Sequence, residues 1–144
     1  MGRRVGLFAL VLLLGIQLAP VERSNPPVSE TIPAEPAVAA ILQRACFDCH
    51  SHETRWPWYA RVAPVSWLVA HDVHEAREHF DMSTWDAYGP KKRRKLLDEL
   101  IEEVHEGEMP LWYYVLLHPE AELSQDDLDQ IDEWVGRLLA AEGG

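Results

Sequence analysis

The sequence CFDCH, from Cys46 to His50, constrains this chain more than any other feature. It holds both cysteines of the 144-residue sequence, three residues apart, and a histidine follows the second directly. At about 3.6 residues per helical turn, the two thiols can lie on one turn. The fold therefore has to present two thiols and an imidazole at one place, and no cysteine remains for a disulfide elsewhere.

Three chemistries are compatible with this motif, and the residues alone leave them open. A thioredoxin-type redox dithiol requires a βαβ setting, and the sequence has no convincing strand pattern. A zinc site would combine Cys46 and Cys49 with two other histidines, but no histidine pair stands at the zinc-finger distance in a ββα setting. C-x-x-C-H is also the attachment motif of c-type haem, in which two thiols add to two vinyl groups and the histidine becomes the proximal iron ligand.

Met109 favours the haem interpretation. It lies 59 residues after His50 (109 − 50), in EGEMPLW, just beyond a glycine that is well placed to end a helix. A methionine sulfur at this position can reach the open face of the iron, and a His/Met pair raises the reduction potential relative to His/His. Met82 and His105 are the competing candidates for the sixth ligand.

Residues 1–21 are predicted to be a signal-anchor, with a cleaved signal peptide as the alternative. The run from Val5 to Val21 has no charge and a single polar side chain, Gln17. As a helix it would reach roughly 25 Å, which is short for a membrane span. Arg3 and Arg4 place the N-terminus in the cytoplasm by the positive-inside rule. The rest of the chain is then expected at the cytoplasmic membrane, on its outer (periplasmic) side.

Residues 22–36 are predicted to form a proline-rich linker, and residues 37–142 a single domain. Five of the ten prolines lie between residues 20 and 36, so this stretch should be extended and should hold the domain just off the membrane. The formal net charge of −11 makes nucleic acid an unsuitable partner.

The domain is predicted to be all-α. Helices are expected over residues 37–45 and 65–80, from Pro90 to a left-handed cap at Gly107, and from Ser124 onward, where Asp127 completes a near capping box. The apolar positions expected to face the core are Leu68, Val69, Val73, Ala76 and Phe80 in the second helix, Leu96, Leu97, Leu100, Ile101 and Val104 in the third, and Leu128, Ile131, Val135, Leu138 and Leu139 in the last.

The chain resembles a small bacterial haem-binding domain family of c-type cytochrome character. The matching stretches are CFDCHSHETRWPWYARVAPVSWLVAHDV and MPLWYYVLLHPEAELS, after an NPPV linker. The resemblance implies a cytochrome c-like helical fold around one covalently attached haem c, and a role in electron transfer. It names no redox partner.

Eight residues are predicted to bind the cofactor. Cys46 and Cys49 would form thioethers, and His50 and Met109 would ligate the iron. Arg55 could pair with a haem propionate, because its guanidinium fits a carboxylate, or it could simply lie on the surface. Trp56, Trp58 and Tyr59 are candidates to wall the haem edge, with ordinary core packing as the alternative.

Three further groups are assigned more ordinary roles or left open. Asp72 falls inside the apolar arc of its helix and is predicted either to reach water or to accept a bond from an indole or an arginine near the haem. His71 and His74 lie away from that arc and are expected to face solvent. The basic run Lys91–Lys95 is expected to be a solvated face, with docking of an acidic partner or of lipid head groups as the alternative.

The function predicted from these observations is electron transfer by a membrane-anchored monohaem cytochrome, not enzymatic catalysis. Two other classes stay open: a haem enzyme or gas sensor with an open or weakly held sixth position, and a structural haem-holding subunit of a larger complex.

Overall fold

The computed structural model describes residues 2–142, and within this range the chain forms α-helices and short 3₁₀ turns without a β-strand. One isolated parallel bridge joins Glu30 to Thr84. This confirms the all-α prediction. The α-helices are α1 Gly2–Ile16, α2 Pro36–Ala45, α3 Phe47–His50, α4 Val65–His79, α5 Pro90–Glu106, α6 Trp112–Leu117 and α7 Gln125–Glu142.

The four helices expected in the domain form where the sequence places them, and local chemistry explains their ends. α5 begins at Pro90, whose missing N–H costs nothing in a first turn, and it ends at Gly107 with φ +75°. Before α7, the Ser124 amide donates to Asp127 Oδ2 at 2.8 Å, and the Asp127 amide donates to Ser124 Oγ at 3.2 Å. The predicted capping box is therefore confirmed.

The core lies where α2, α5 and α7 converge. Leu97 and Ile131 are buried almost completely, and so is Trp134, whose indole N–H donates to the Pro33 carbonyl at 2.9 Å. The buried cluster comprises Ile32, Val38, Ile41, Leu42, Phe47, Phe80, Met82, Trp85, Tyr88, Leu96, Leu97, Ile131, Trp134 and Val135.

The buried face of α4 is rotated from the predicted one. Val73 is buried as expected, but Leu68 is 49% exposed and Ser66 is buried instead. Leu68 belongs neither to the buried core cluster nor to the wall of the cavity described below, so it stays accessible.

The N-terminal helix, α1, presents its apolar side chains to the outside. None of the helices within residues 2–142 is both long enough and apolar enough to cross a membrane, so the predicted membrane helix is not found. The segment after α1 is fixed to the domain through Gln17. Its amide Nε2 donates to the Ala63 carbonyl at 3.1 Å, and the Ala63 amide donates to Gln17 Oε1 at 2.9 Å.

Residues 22–36 are largely extended, as predicted, but they lie against the domain. Ile32 is 3% exposed within the core, and its amide donates to the Met82 carbonyl at 2.8 Å. The Arg77 guanidinium of α4 donates to the carbonyls of Ser24 and Ser51, each at 2.9 Å. The expectation that this segment keeps the domain at a distance therefore does not match the contacts that it makes.

Gly107→Ala should lower the free energy of unfolding by about 1 kcal/mol or more, because an alanine is strained at positive φ. The added Cβ would meet open space, so the cost is conformational and not steric. Gly136→Ala is the matched control, since Gly136 lies inside α7, is exposed and also faces open space. That change should instead raise stability by about 0.5–1 kcal/mol in chemical denaturation. If both variants lowered the free energy of unfolding, or both raised it, the assignment of Gly107 as the left-handed cap of α5 would be contradicted.

Candidate functional site

The CFDCH motif folds as a single helical turn. α2 ends at Ala45, and α3 follows from Phe47. The amides of Cys49 and His50 both donate to the Cys46 carbonyl, at 3.1 and 2.9 Å. Both cysteines are free thiols. The turn therefore carries two thiols and an imidazole in one place, as the spacing predicts.

These three side chains line a cavity of about 470 Å³ between α4 and α5. This volume lies within the range of small-molecule and cofactor sites. Met109 lines the same cavity, although it comes from the loop after α5. The apolar part of the wall is formed by Ala45, Ala76, Phe80, Met82, Leu96, Leu100, Val104, Pro110, Leu111 and Leu123, and the polar part by His71, Asp72, Glu75, His79, Glu99, Glu103, Tyr113 and Tyr114.

The His50 imidazole is oriented by a backbone bond. Its Nδ1 lies 2.9 Å from the Phe80 carbonyl oxygen, which can only accept, so Nδ1 carries the proton and Nε2 keeps its lone pair. Burial lowers the pKa of His50, against the opposing effect of this bond. The ring is therefore held neutral in the tautomer that can ligate a metal through Nε2.

The two thiols are poor thiolates in this setting. Burial raises the pKa of Cys46 to about 12, with the nearby Cys49 adding to the effect. Burial likewise raises the pKa of Cys49 to about 12, reinforced by Asp72 and Asp48. A redox dithiol depends on a lowered thiol pKa, so this environment disfavours that alternative. Within residues 2–142, no cluster of three or more His, Cys, Asp or Glu side chains is arranged to hold a metal ion.

Met109 reaches the cavity because of the way α5 ends. After the left-handed Gly107, the amides of Glu108 and Met109 both turn back to the Glu103 carbonyl, at 3.0 and 3.1 Å. Met109 is half-buried at the cavity wall. Of its competitors, Met82 also lines the cavity but is 2% exposed within the core, whereas His105 is bonded to Asp132 at 2.9 Å and does not line it.

The four predicted residues of the aromatic loop do not line this cavity. Arg55 pairs with Asp48 at 3.1 Å and its side chain is 65% exposed, which agrees with the surface position that the sequence left open beside propionate binding. Trp58 is 77% exposed. The Trp56 indole donates to Asn25 at 3.3 Å, and the Tyr59 hydroxyl lies 2.6 Å from His118 Nε2.

Two tyrosines that the sequence reasoning did not single out line the cavity instead. The Tyr113 hydroxyl donates to Asp72 Oδ2 at 3.0 Å, and the Tyr114 hydroxyl donates to Asp48 Oδ2 at 2.8 Å. Asp72 is half-buried and accepts its bond from a phenol, whereas the sequence left open either contact with water or a bond from an indole or arginine. The sequence feature that could have indicated these tyrosines is the WYYV run directly after MPL. A loop that carries a candidate iron ligand continues into residues that line the same cavity.

Burial and the carboxylates raise the pKa of both phenols. The pKa of Tyr113 reaches about 12, chiefly through burial and then through its bond to Asp72. Burial and the bond to Asp48 raise the pKa of Tyr114 well above its ordinary value. Both phenols therefore remain donors at any physiological pH. They fasten α6 to α4 and to the CFDCH turn.

The histidines in the middle of α4 and most of the basic run lie at the surface. His71 and His74 are exposed, as predicted; His71 stands at the cavity wall, and His74 faces Glu78 at 3.3 Å. In the basic run, Lys92 lies 4.4 Å above the Tyr88 ring, and Arg93 stacks 4.9 Å above Trp85. Part of this run therefore packs on aromatic residues of the fold.

The sequence model of a protein family, the haem-binding domain, matches residues 11–137, a range that begins in α1 and ends in α7. The chain belongs to the haem-binding domain family. No curated protein and no solved structure matches it. The site fits the ligand of the family, because an apolar cavity brings an imidazole with a free Nε2 together with a thioether and two thiols. This haem-binding domain therefore places its candidate iron ligands on two separate elements, α3 and the loop after α5.

In this haem-binding domain, Tyr114→Phe should lower the free energy of unfolding by about 1–3 kcal/mol, because Asp48 is 8% exposed and would lose a donor. Folding raises the pKa of Tyr114. The stabilisation that Tyr114 provides is therefore full at pH values below the ordinary tyrosine pKa of 10.0, and it falls as the pH rises beyond that value. Wild type and variant should therefore converge in alkaline denaturation series. A Tyr114→Phe cost that is unchanged in an Asp48→Asn background would show that this bond is not its source.

Proposed function

We propose that this haem-binding domain is a monohaem c-type cytochrome that transfers electrons. The observation that supports the proposal is the meeting of Cys46, Cys49, His50 and Met109 in one apolar cavity. When bound there, haem supplies a one-electron iron couple. The chain supplies its attachment, its axial ligands and a wall that limits access of water.

Cys46 and Cys49 are the proposed attachment points. In each thioether the sulfur bonds to one vinyl carbon and the thiol hydrogen goes to the other, so the addition is balanced without an external oxidant or reductant. His50 would ligate through Nε2, with its ring held by the Phe80 carbonyl.

Met109 is the proposed distal ligand, and it decides between electron transfer and the alternatives. A closed His/Met site carries electrons, whereas a peroxidase-like enzyme or a gas sensor needs an open or weakly held position. Optical spectra of the oxidised and reduced protein distinguish them. We expect a low-spin spectrum with a methionine–iron charge-transfer band. A high-spin spectrum with ready carbon monoxide binding would favour the enzyme or sensor.

A haem stain on a denaturing gel tests covalent attachment directly. The band should stain at the mass of the polypeptide, because thioethers survive denaturation. An unstained band from protein that carried haem before denaturation would rule out c-type attachment and leave a non-covalent haem site.

We also propose that the domain works on the outer side of the cytoplasmic membrane, with residues 1–21 directing export and a redox protein as its partner. Arg3 and Arg4 before an apolar run support this orientation. Fractionation followed by N-terminal sequencing tests it. Haem protein in the cytoplasmic fraction would contradict it, and the sequenced N-terminus shows whether the segment is cleaved.

A further inference from the structure

We infer that one exposed apolar face of the domain rests on a lipid bilayer. The face comprises side chains of the turn before α4, the start of α4 and helix α6. Trp58, Trp112 and Leu116 are 77%, 75% and 72% exposed, which is unusual for large apolar residues in one region. The members of this apolar face are Trp58, Val62, Val65, Leu68, Trp112, Leu116 and Leu117.

Two contacts bring these chain segments side by side. The Tyr59 hydroxyl, next to Trp58, lies 2.6 Å from His118, which directly follows Leu117. The Tyr113 hydroxyl, next to Trp112, donates to Asp72, one helical turn after Leu68. The turn, the start of α4 and α6 are therefore tied together through residues that directly neighbour the exposed apolar ones.

Acidic residues are missing from the segments that form this face. Residues 56–71 and 109–118 contain no Asp or Glu, although the chain has 24 of them and a net charge of −11. The charged residue within these two segments is Arg61, if histidine is counted as neutral. Since bilayer surfaces often carry anionic headgroups, this distribution lets an acidic protein approach a membrane by one side. At the edges, Asp72 is bonded by Tyr113, and Glu120 lies 3.4 Å from His118.

The position of α1 favours a bilayer over a protein partner. Gln17, just after α1, holds the Ala63 backbone at 2.9 and 3.1 Å, between Val62 and Val65 of the apolar face. The exposed apolar side chains of α1 thus lead directly to this face. Two tryptophans at its surface are the residues that favour the membrane–water interface. A monotopic contact of this kind gains chiefly from the apolar area that it buries.

This inference goes beyond the proposed electron-transfer function. The domain would lie on the bilayer, with α6 beside the lipid, whereas the sequence predicts a domain that a linker holds off the membrane. Tyr113 and Tyr114 of α6 line the haem cavity, so this edge of the cavity would face the membrane plane. The acidic residues of α7 lie outside the segments that form this face.

Hydrogen exchange of the full haem-loaded chain tests the apolar face. The probe is a nanodisc of phosphatidylglycerol and phosphatidylcholine in equal parts. The reference is the full chain with Leu10→Asp and Leu13→Asp in α1, kept in solution. Amides of residues 58–61 and 112–117 should exchange at least several-fold more slowly on the nanodisc, while those of α7 should not change. Equal exchange in the two samples would overturn the inference.

Paired variants locate the contact. Trp112→Ser with Leu116→Ser should abolish the protection on nanodiscs and weaken vesicle binding of the Leu10→Asp/Leu13→Asp chain by about tenfold. Val28→Ser is the control, because Val28 is 42% exposed outside this face, and it should change neither. Protection that appears only when a purified redox partner is added would overturn the lipid assignment and make this a protein-docking surface. The optical spectrum of each sample reports separately on haem ligation.

Discussion

Replacing Cys46 and Cys49 together by alanine should leave a chain that shows no haem stain on a denaturing gel and no cooperative unfolding. The cofactor would cover a cavity wall that includes Leu100, Leu111 and Leu123, which the chain by itself buries only in part. Exposing such side chains to water costs about 1.5–3 kcal/mol each. A few of them amount to the total stability of a small domain, about 5–15 kcal/mol. The matching measurement is a denaturant titration followed by circular dichroism.

The single variants provide the graded control. Cys46→Ala and Cys49→Ala should each keep one thioether, so each band should still stain, and each should unfold cooperatively at lower denaturant concentration. A double variant that keeps a stained band would disprove attachment through this motif. A double variant that loses the stain but unfolds as cooperatively as wild type would show that haem is not what stabilises the small core.

The helical framework could be predicted from the sequence because its signals are local. Pro90 and Gly107 mark the ends of α5, and Ser124 with Asp127 marks the start of α7. The burial of Ile32 could not be predicted in this way. Its packing depends on a segment that pairs with residues some fifty positions later, such as Met82. Proline content indicates an extended chain but not the surface on which that chain lies.

The candidate ligands could be predicted better than their surroundings. The motif fixes Cys46, Cys49 and His50 by spacing, and Met109 follows from the end of a helix. The aromatic loop was assigned to the cavity because it is near the motif in sequence. In the fold, Arg55 pairs locally with Asp48, and the cavity wall is completed by α6. Which aromatic segment closes a site depends on long-range contacts, such as Tyr114 to Asp48, that no local pattern encodes.

Replacing Met109 by alanine should convert the proposed electron carrier into a ligand-binding haem protein. Loss of the proposed methionine ligand would open the sixth position, so the methionine–iron charge-transfer band should disappear and carbon monoxide should bind the reduced protein. The reduction potential should fall by on the order of 0.1 V, since axial ligands tune haem potentials over roughly 0.8 V. Spectroelectrochemistry measures both effects in one sample.

Met82→Leu is the matched control for Met109→Ala. Met82 lines the same cavity but is 2% exposed and packs within the core, so a leucine of similar volume should cost less than about 1.5 kcal/mol. Its spectrum and potential should stay those of wild type. If Met82→Leu removes the charge-transfer band while Met109→Ala retains it, the sulfur that ligates the iron comes from the core and not from the loop after α5. The loop that α6 fastens would then serve to cover the haem, and the closed sixth position would be independent of Gly107 and the turn that it caps.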